Sequence, residues 1–354
     1  MTRASGQRIG VACFGAGWVT THRHIPTMRR HGGFDVVCLA DRRGERAREA
    51  AERLKIPHHE QAAGVDELSV RDDVQAITCG TAPFAHERVI RSALEAGKHV
   101  LTEKPFTMTV QEGKELVALA QERGLVLAIV HNFQFAPSVR RLRRWLDSGK
   151  IGRVRAVWAT QLSNPARRLP TWFDELPGGL FYDESPHLIY TARALAGADL
   201  EPVSVTVHPS TRGLQNTPAQ VDAQMRAGEV PVSIQMNFEA PVSEWHVAVM
   251  GERGLGVVDL FRDIAVFTPN DGDHRAPEVI RTSASASWHH WLGYLRSGPG
   301  HMLGRLRYGN DEVFKRFHAG ILTGKAPDGI SGQDALAVLR VQHWILEARG
   351  RILI

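Results

Sequence analysis

Cysteine is scarce: the 354-residue chain has three, Cys13, Cys38 and Cys79, an odd number without metal-like spacing. That argues against a disulfide framework or a cysteine-bound zinc, and each thiol lies in or at the end of a short apolar run that would bury it reduced. No apolar stretch reaches the ~18 residues of a spanning helix, so no membrane is expected as a partner. The segment from Met1 to Arg8 is polar and leads straight into an apolar strand, without the long apolar stretch and cleavage site of a secretory signal. The cytoplasm is the expected compartment. Charge of one sign is also in short supply, since a net +5 is modest for this length. The densest basic run, Arg140 to Arg155, holds Trp145 but no aromatic interleaving and no nucleic-acid motif. It reads as a solvated helix face, and no nucleic acid is expected. The histidine pairs His22/His24, His58/His59 and His289/His290 lack acid or cysteine companions at ligand spacing, so no metal is assigned.

What is present is apolar residue enough, 43%, for two cores of roughly 100 to 200 residues each. From Ile9 to Val130, strand-like runs (Ile9 to Phe14, Val36 to Ala40, Val74 to Cys79, His99 to Thr102, Val126 to Val130) alternate with helix-like stretches (Gly44 to Leu54, His86 to Ala96, Val110 to Arg123). Gly97 and Gly124 stand where helices end in a left-handed residue. This alternation predicts βαβ units and a doubly wound parallel sheet. After Pro137 come a basic amphipathic helix to Leu146 and strand-like segments at Val154 to Thr160, Val203 to His208, Val232 to Phe238, His246 to Met250 and Gly256 to Leu260. With few helices between them, they predict a mostly antiparallel sheet. The Gly- and Arg-rich stretch Gly293 to Asn310 reads as a loop. Two helices should close the chain, one over Asp311 to Leu322 and one from Ser331, which has capping-box spacing to Asp334. The expected class is α/β, with one domain over 1–130 and an α+β domain over 131–354.

Gly15-Ala16-Gly17-Trp18-Val19-Thr20 follows the first strand and opens a helix-like segment. Small residues in such a turn let backbone N–H groups approach a pyrophosphate, which makes Gly15, Gly17, Trp18 and Val19 candidate cofactor contacts. Thr20 replaces the usual third glycine, implying a wider helix–sheet fit or a hydroxyl facing the phosphate. Asp41 ends the second strand near the ~20-residue offset at which an acid meets the adenosine ribose; capping the helix from Gly44 is the structural alternative. Arg42 and Arg43 suit the 2′-phosphate of NADP. NAD is the favoured cofactor, with NADP open.

The segment Ala93-Leu94-Glu95-Ala96-Gly97-Lys98-His99-Val100-Leu101-Thr102-Glu103-Lys104-Pro105 resembles the signature of the Gfo/Idh/MocA family of sugar and cyclitol dehydrogenases, whose best-known element is Glu-Lys-Pro. Further likenesses follow in order: His24-Ile25-Pro26, then Thr81 with Pro83 and His86, Ile151-Gly152-Arg153-Val154, Gly178-Gly179 ahead of Asp183 and His187, and Gly251 with Gly254. The resemblance spans nearly the whole chain. It implies an N-terminal Rossmann domain and a C-terminal domain whose open sheet makes a homodimer or homotetramer. It assigns Lys104 to the nicotinamide and substrate hydroxyl, and Asp183 and His187 to substrate contact and proton transfer. Thr81, His86 and Glu103 join the cofactor set, with Glu103 and Pro105 shaping the turn. The chain also departs from the pattern at Thr20, at Ala82 where many relatives have proline, and at Gln134 where arginine is frequent. Glu184-Ser185-Pro186 stands where apolar residues around a glycine are common. Pro186 implies a catalytic helix that begins only at His187.

Oxidising a secondary alcohol removes a hydride from carbon and a proton from oxygen. His187 suits the proton through its ordinary pKa of about 6.5. Lys104 suits the oxygen, where an ammonium stabilises developing alkoxide. Asp183 lies four residues earlier, on the same face of a helical turn. Asn132, in His131-Asn132-Phe133 after the last parallel strand, is a candidate substrate contact. Trp172, Phe173 and Tyr182 offer a wall for a sugar ring, with simple packing as the alternative. The leading expectation is NAD(P)-dependent hydride transfer at a hydroxyl or keto carbon of a sugar, cyclitol or related small polar substrate. The alternatives are a redox-neutral NAD-dependent glycoside hydrolase or eliminase, and a non-catalytic dinucleotide-binding sensor.

Overall fold

Strand β1 (Ile9–Phe14) is buried at every position, as a strand must be when helices cover both faces of a parallel sheet. The computed structural model describes residues 8–62, 71–304 and 306–348; the polar segment before Arg8, read as lacking a secretory signal, lies outside them. The chain then forms α1 (Ile25–His31), β2 (Phe34–Asp41), α2 (Gly44–Leu54), β3 (His58–Gln61), β4 (Ala76–Cys79), α3 (His86–Glu95), β5 (His99–Thr102), α4 (Val110–Glu122) and β6 (Leu127–Ile129). The six strands are all parallel, in the order β3-β2-β1-β4-β5-β6. The order reverses direction between β1 and β4, and a ligand crevice in such a sheet opens beyond the strand C-termini at that switch point. Thr109 starts α4 with the reciprocal capping box to Glu112.

The three thiols lie buried and unbridged in these strands. Burial pushes Cys13 and Cys38 up to about 12, which leaves inert neutral thiols.

A second compact unit holds Asn132–Gly309 and the chain from Arg340; the first unit takes the chain to His131 together with Asn310–Leu339. The second unit contains α5 (Pro137–Asp147), β7 (Val154–Leu162), α6 (Leu180–Ala196), β8 (Glu201–His208), β9 (Gln220–Ala227), β10 (Val230–Asn237), β11 (Glu244–Gly251), β12 (Gly254–Asp259), β13 (Ile264–Pro269) and α7 (Ala276–Met302). Its seven strands run β13-β12-β11-β7-β10-β9-β8, antiparallel except for the β7–β10 pair. This is the α/β class expected, with a parallel sheet and a mostly antiparallel one. The closing helices are α8 (Asn310–Thr323) and α9 (Gly332–Ala348). Ser331 and Asp334 form the expected box: Ser331 N donates to Asp334 Oδ2 at 3.1 Å and Asp334 N to Ser331 Oγ at 3.2 Å.

Two expectations fail for identifiable reasons. The loop expected over Gly293 to Asn310 is largely helix, because α7 continues to Met302. Gly293 is there for packing, since a Cβ on it would lie 2.7 Å from Ile264 Cγ2. Pro299 removes the N–H that would bond the Leu295 carbonyl, and α7 ends three residues later at Met302. The helix that carries His187 does not wait for that residue either: α6 begins at Leu180 and runs through Pro186. Proline removes the N–H that would bond the carbonyl of Tyr182. Gln342 replaces it, its Nε2 donating to Tyr182 O at 3.0 Å.

Candidate active-site residues

In the first unit the chain must turn sharply after β1. Gly15 adopts φ +86°, and a Cβ there would sit 2.8 Å from the Gly80 carbonyl oxygen, so glycine alone fits. The space over Gly17 is open, the nearest atoms to a Cβ being Arg46 Nη2 and Gly80 O, both at 3.8 Å. An open glycine backed by a guanidinium suits a phosphate. Asp41 Oδ2 accepts from Ala16 N at 2.8 Å and Oδ1 from Arg43 N at 2.9 Å. Its buried carboxylate therefore braces the turn, and each oxygen has a second lone pair to offer a ribose hydroxyl. Thr20 is fully buried, with Oγ1 2.3 Å from where a Gly80 Cβ would stand. Of the two readings of Thr20, the hydroxyl therefore does not face outward to a phosphate; the missing side chain of Gly80 accommodates it.

Val19 leads into a wide π-type turn, Thr20–His24. Exposed Trp18 stacks on His22 at 5.3 Å, with the Arg23 guanidinium 5.2 Å from its ring. Arg42, Arg43 and Arg46 are exposed at the start of α2. Arg46 was missed in the sequence; its signal was the four-residue step from Arg42.

The Glu-Lys-Pro turn follows β5, where Glu103 N donates to Cys79 O at 2.8 Å. Fully buried His24 meets Glu103 Oε1 through Nε2 at 2.9 Å. Burial acts most strongly to raise the Glu103 carboxyl, but the His24 hydrogen bond and charge, with the Lys104 charge, together hold it below the ordinary range. The Lys104 side chain is half-buried. His86 lies wholly buried, Nδ1 2.7 Å from Pro105 O and Nε2 3.3 Å from Thr81 O. Burial lowers its pKa, so the neutral ring donates one N–H, to the nearer Pro105 carbonyl. His86, the first residue of α3, thus ties that helix to the Glu-Lys-Pro turn, and Thr81 Oγ1 contacts Cys79 Sγ at 3.3 Å. Gly15, Gly17, Asp41, Thr81, Glu103 and Lys104 all follow or end strands at the C-terminal edge of the parallel sheet.

In the second unit His187 lies on α6 with Nδ1 2.7 Å from Tyr190 Oη. That hydroxyl also accepts from Phe133 N at 3.0 Å and donates to Asn132 Oδ1 at 3.3 Å. With the hydroxyl proton directed to Asn132, Nδ1–H donates to Oη, a tautomer assigned by the network rather than seen. Nε2 is then the basic nitrogen. The rings of Phe133 and Trp245 pack on His187 at 4.7 and 5.4 Å. Asp183 sits one turn earlier and is also buried. Tyr190 was missed in the sequence, although its i, i+3 spacing from His187 was visible.

The rest of the expected wall divides. Tyr182 is fully buried, its hydroxyl 3.3 Å from His343 Nε2, so it packs inward. Trp172 is half-exposed just before the short turn Phe173–Glu175. Glu184 faces a polar cluster of Arg167, Gln161 and Ser163, and Ser185 Oγ accepts from Gln342 Nε2 at 3.0 Å. Thr217 holds the start of α6, its Oγ1 accepting from Leu180 N at 3.1 Å and donating to Asp174 Oδ1 at 2.8 Å. Among the described residues, Glu244, His246 and Asp259 converge closely enough for a metal. The Arg262 guanidinium already bonds both carboxylates, which supplies the positive charge an ion would bring.

Two family models match the chain. One described as "Oxidoreductase family, NAD-binding Rossmann fold" matches residues 9–131, and one described as "GFO/IDH/MocA C-terminal domain" matches residues 139–255. A dTDP-3,4-didehydro-2,6-dideoxy-alpha-D-glucose 3-reductase of Actinomadura kijaniata is 33% identical over 201 residues, 56% of this chain and 59% of that one. A 1,5-anhydro-D-fructose reductase of Ensifer adhaerens is 31% identical over 194 residues, 54% of this chain and 56% of that one. The matched stretch thus spans somewhat over half of these relatives. A levoglucosan dehydrogenase solved with NADH and levoglucosan superposes with a TM-score of 0.79 at 20% identity, covering 98% of both chains. A 3-ketoreductase from Actinomadura kijaniata solved with NADP and TDP-benzene gives 0.75 at 22%, again over 98% of both. At such identities these structures speak for the fold alone. No described helix is long and apolar enough to cross a membrane.

Proposed function

The chain belongs to the Gfo/Idh/MocA family of oxidoreductases, and from that premise we propose that it transfers a hydride between NAD(P) and a hydroxyl or keto carbon of a sugar, cyclitol or related small polar substrate. The observation that carries the reading is the His187–Tyr190–Asn132 chain, which leaves the basic nitrogen of a buried imidazole on its Nε2 side. The nicotinamide, when bound, supplies the site that gives or takes the hydride. Backbone N–H groups of Gly17, Trp18 and Val19 would hold the pyrophosphate and Asp41 the ribose, while Gly15, whose own N–H donates to Ala40 O at 2.8 Å, shapes the turn. Arg42 and Arg46 receive a 2′-phosphate where the cofactor is NADP. His187 Nε2 takes the proton of the reacting hydroxyl, or returns it to the carbonyl oxygen in the reverse direction. Lys104 donates a hydrogen bond to that oxygen, and Asp183 accepts one from a neighbouring hydroxyl. Asn132 and Trp172 are the further substrate contacts in this reading.

A sugar-like substrate accords with the two relatives named above, both reductases of sugar derivatives. Three buried, unbridged cysteines accord with the cytoplasm, where we place the protein as a homodimer or homotetramer. Purified protein incubated with NAD or NADP and a panel of polyols and keto-sugars should change the absorbance of reduced nicotinamide. Glycoside cleavage with NAD retained and no net reduction would instead favour the redox-neutral alternative. Cofactor binding without either reaction would leave a sensor.

A further inference from the structure

Helix α7 buries the wrong face for an ordinary amphipathic helix. Ser285, His289, Gly293 and Ser297, spaced by four, turn toward β13. Ser285 Oγ donates to Phe267 O at 2.9 Å, the His289 ring meets Trp145 at 5.4 Å, and Gly293 packs on Ile264. The large apolar residues point outward: Ile280, Trp288, Trp291, Tyr294, Leu295 and Met302 are 69, 64, 63, 56, 66 and 90% exposed. Folding one chain gives no reason to display two tryptophans and a tyrosine while covering serine and glycine.

We propose that this face pairs with the same face of a second copy of the chain, the two helices antiparallel about a twofold axis at Trp291. The stripe reads alike from both ends: Ile280, Ala284, Trp288, Trp291, Tyr294, Gly298, Met302, in steps of four, four, three, three, four and four. In an isologous contact Ile280 of one copy meets Met302 of the other, Ala284 meets Gly298, Trp288 meets Tyr294, and Trp291 meets its own image. Large residues oppose large and small oppose small, so the backbones approach where the side chains are least bulky. Aromatic side chains of roughly 150–250 Å² each, exposed to this degree and joined by the aliphatic residues, offer on the order of 800 Å² per chain, what one partner contributes to a stable interface. A lipid surface fits less well, because α7 has only Arg281 and Arg296 against Glu278, and its polar face is already against β13.

The inference is independent of the reaction proposed above, and its test needs no substrate. The native cysteines are all buried, so Trp291→Cys introduces an exposed thiol. In the full-length protein a short bis-maleimide should join two chains through it. Ile280→Cys alone should not cross-link, since its image lies about 33 Å away along the helix axis at ~1.5 Å per residue. Combining Ile280→Cys with Met302→Cys should restore the cross-link. In sedimentation velocity, Trp288→Glu with Leu295→Glu should halve the mass of the wild-type species while the circular dichroism stays unchanged. The proposal is overturned if the wild type sediments as a monomer at tens of micromolar. It is equally overturned if the glutamate pair leaves the assembly intact, if Ile280→Cys cross-links as well as Trp291→Cys, or if the wild type floats with phosphatidylserine vesicles as a monomer.

Discussion

His187 can serve as a base only if its proton sits on the other nitrogen, and Tyr190 is the residue that arranges this. Tyr190→Phe keeps the ring but removes the acceptor for Nδ1–H. We expect kcat to fall about tenfold, corresponding to ~1.4 kcal/mol, with a displaced pH profile and unchanged cofactor affinity by fluorescence titration. An unchanged pH profile would remove Tyr190 from the account. Glu103 gives a stability prediction. Its folded pKa lies below the ~4.3 of an unfolded glutamate, so its ionised form contributes stability fully above that value, and this contribution is lost as pH falls through the lower folded one. Glu103→Gln should therefore make acid unfolding of the first unit less steep, and lower its stability at neutral pH by ~1–3 kcal/mol as His24 loses its charged partner. Acid titration of unfolding by circular dichroism checks both. At this scale motif spacing was enough to put Gly15 in a tight turn and Asp41, Glu103 and Lys104 at the C-terminal ends of strands. The His24–Glu103 pair and the meeting of Tyr190 with Asn132 were harder, because each joins segments far apart in the chain.

Helix α6 shows why element boundaries follow tertiary partners as well as local propensity. Pro186 predicts a helix start, but the carbonyl it leaves unbonded is satisfied from α9 by Gln342. Gln342→Leu should destabilise the second unit by ~1–3 kcal/mol, the cost of an unpaired buried carbonyl. In a Pro186→Ala background, which restores the helical N–H, that loss should shrink. A double-mutant cycle in urea measures the coupling, and strictly additive losses would contradict this role for Gln342. The parallel strands were legible as short, nearly continuous apolar runs. Strand β9, Gln-Val-Asp-Ala-Gln-Met-Arg-Ala, was not, because its alternation hides an ordinary half-buried strand among polar letters. Helix α7 was masked by Gly293, Gly298, Pro299 and Gly300, residues that normally punctuate chains. Here Gly293 is a contact with Ile264 and Pro299 sits near an end.

For the whole molecule, the order of motifs along the chain carried the family, and with it both sheets. The polar surroundings of Glu184 were not legible. The Glu184 cluster draws Gln161, Ser163 and Arg167 from other segments, and no spacing in the sequence announces that they meet. The central claim is that Lys104 and His187 together handle the reacting oxygen while a nicotinamide handles the hydride. Its most direct test is the initial rate of nicotinamide reduction or oxidation with an accepted sugar substrate, in wild type, Lys104→Ala and His187→Ala, each first shown to bind cofactor. The account predicts turnover in the wild type and a loss of about 10²-fold or more in each variant; undiminished turnover in either variant would contradict it.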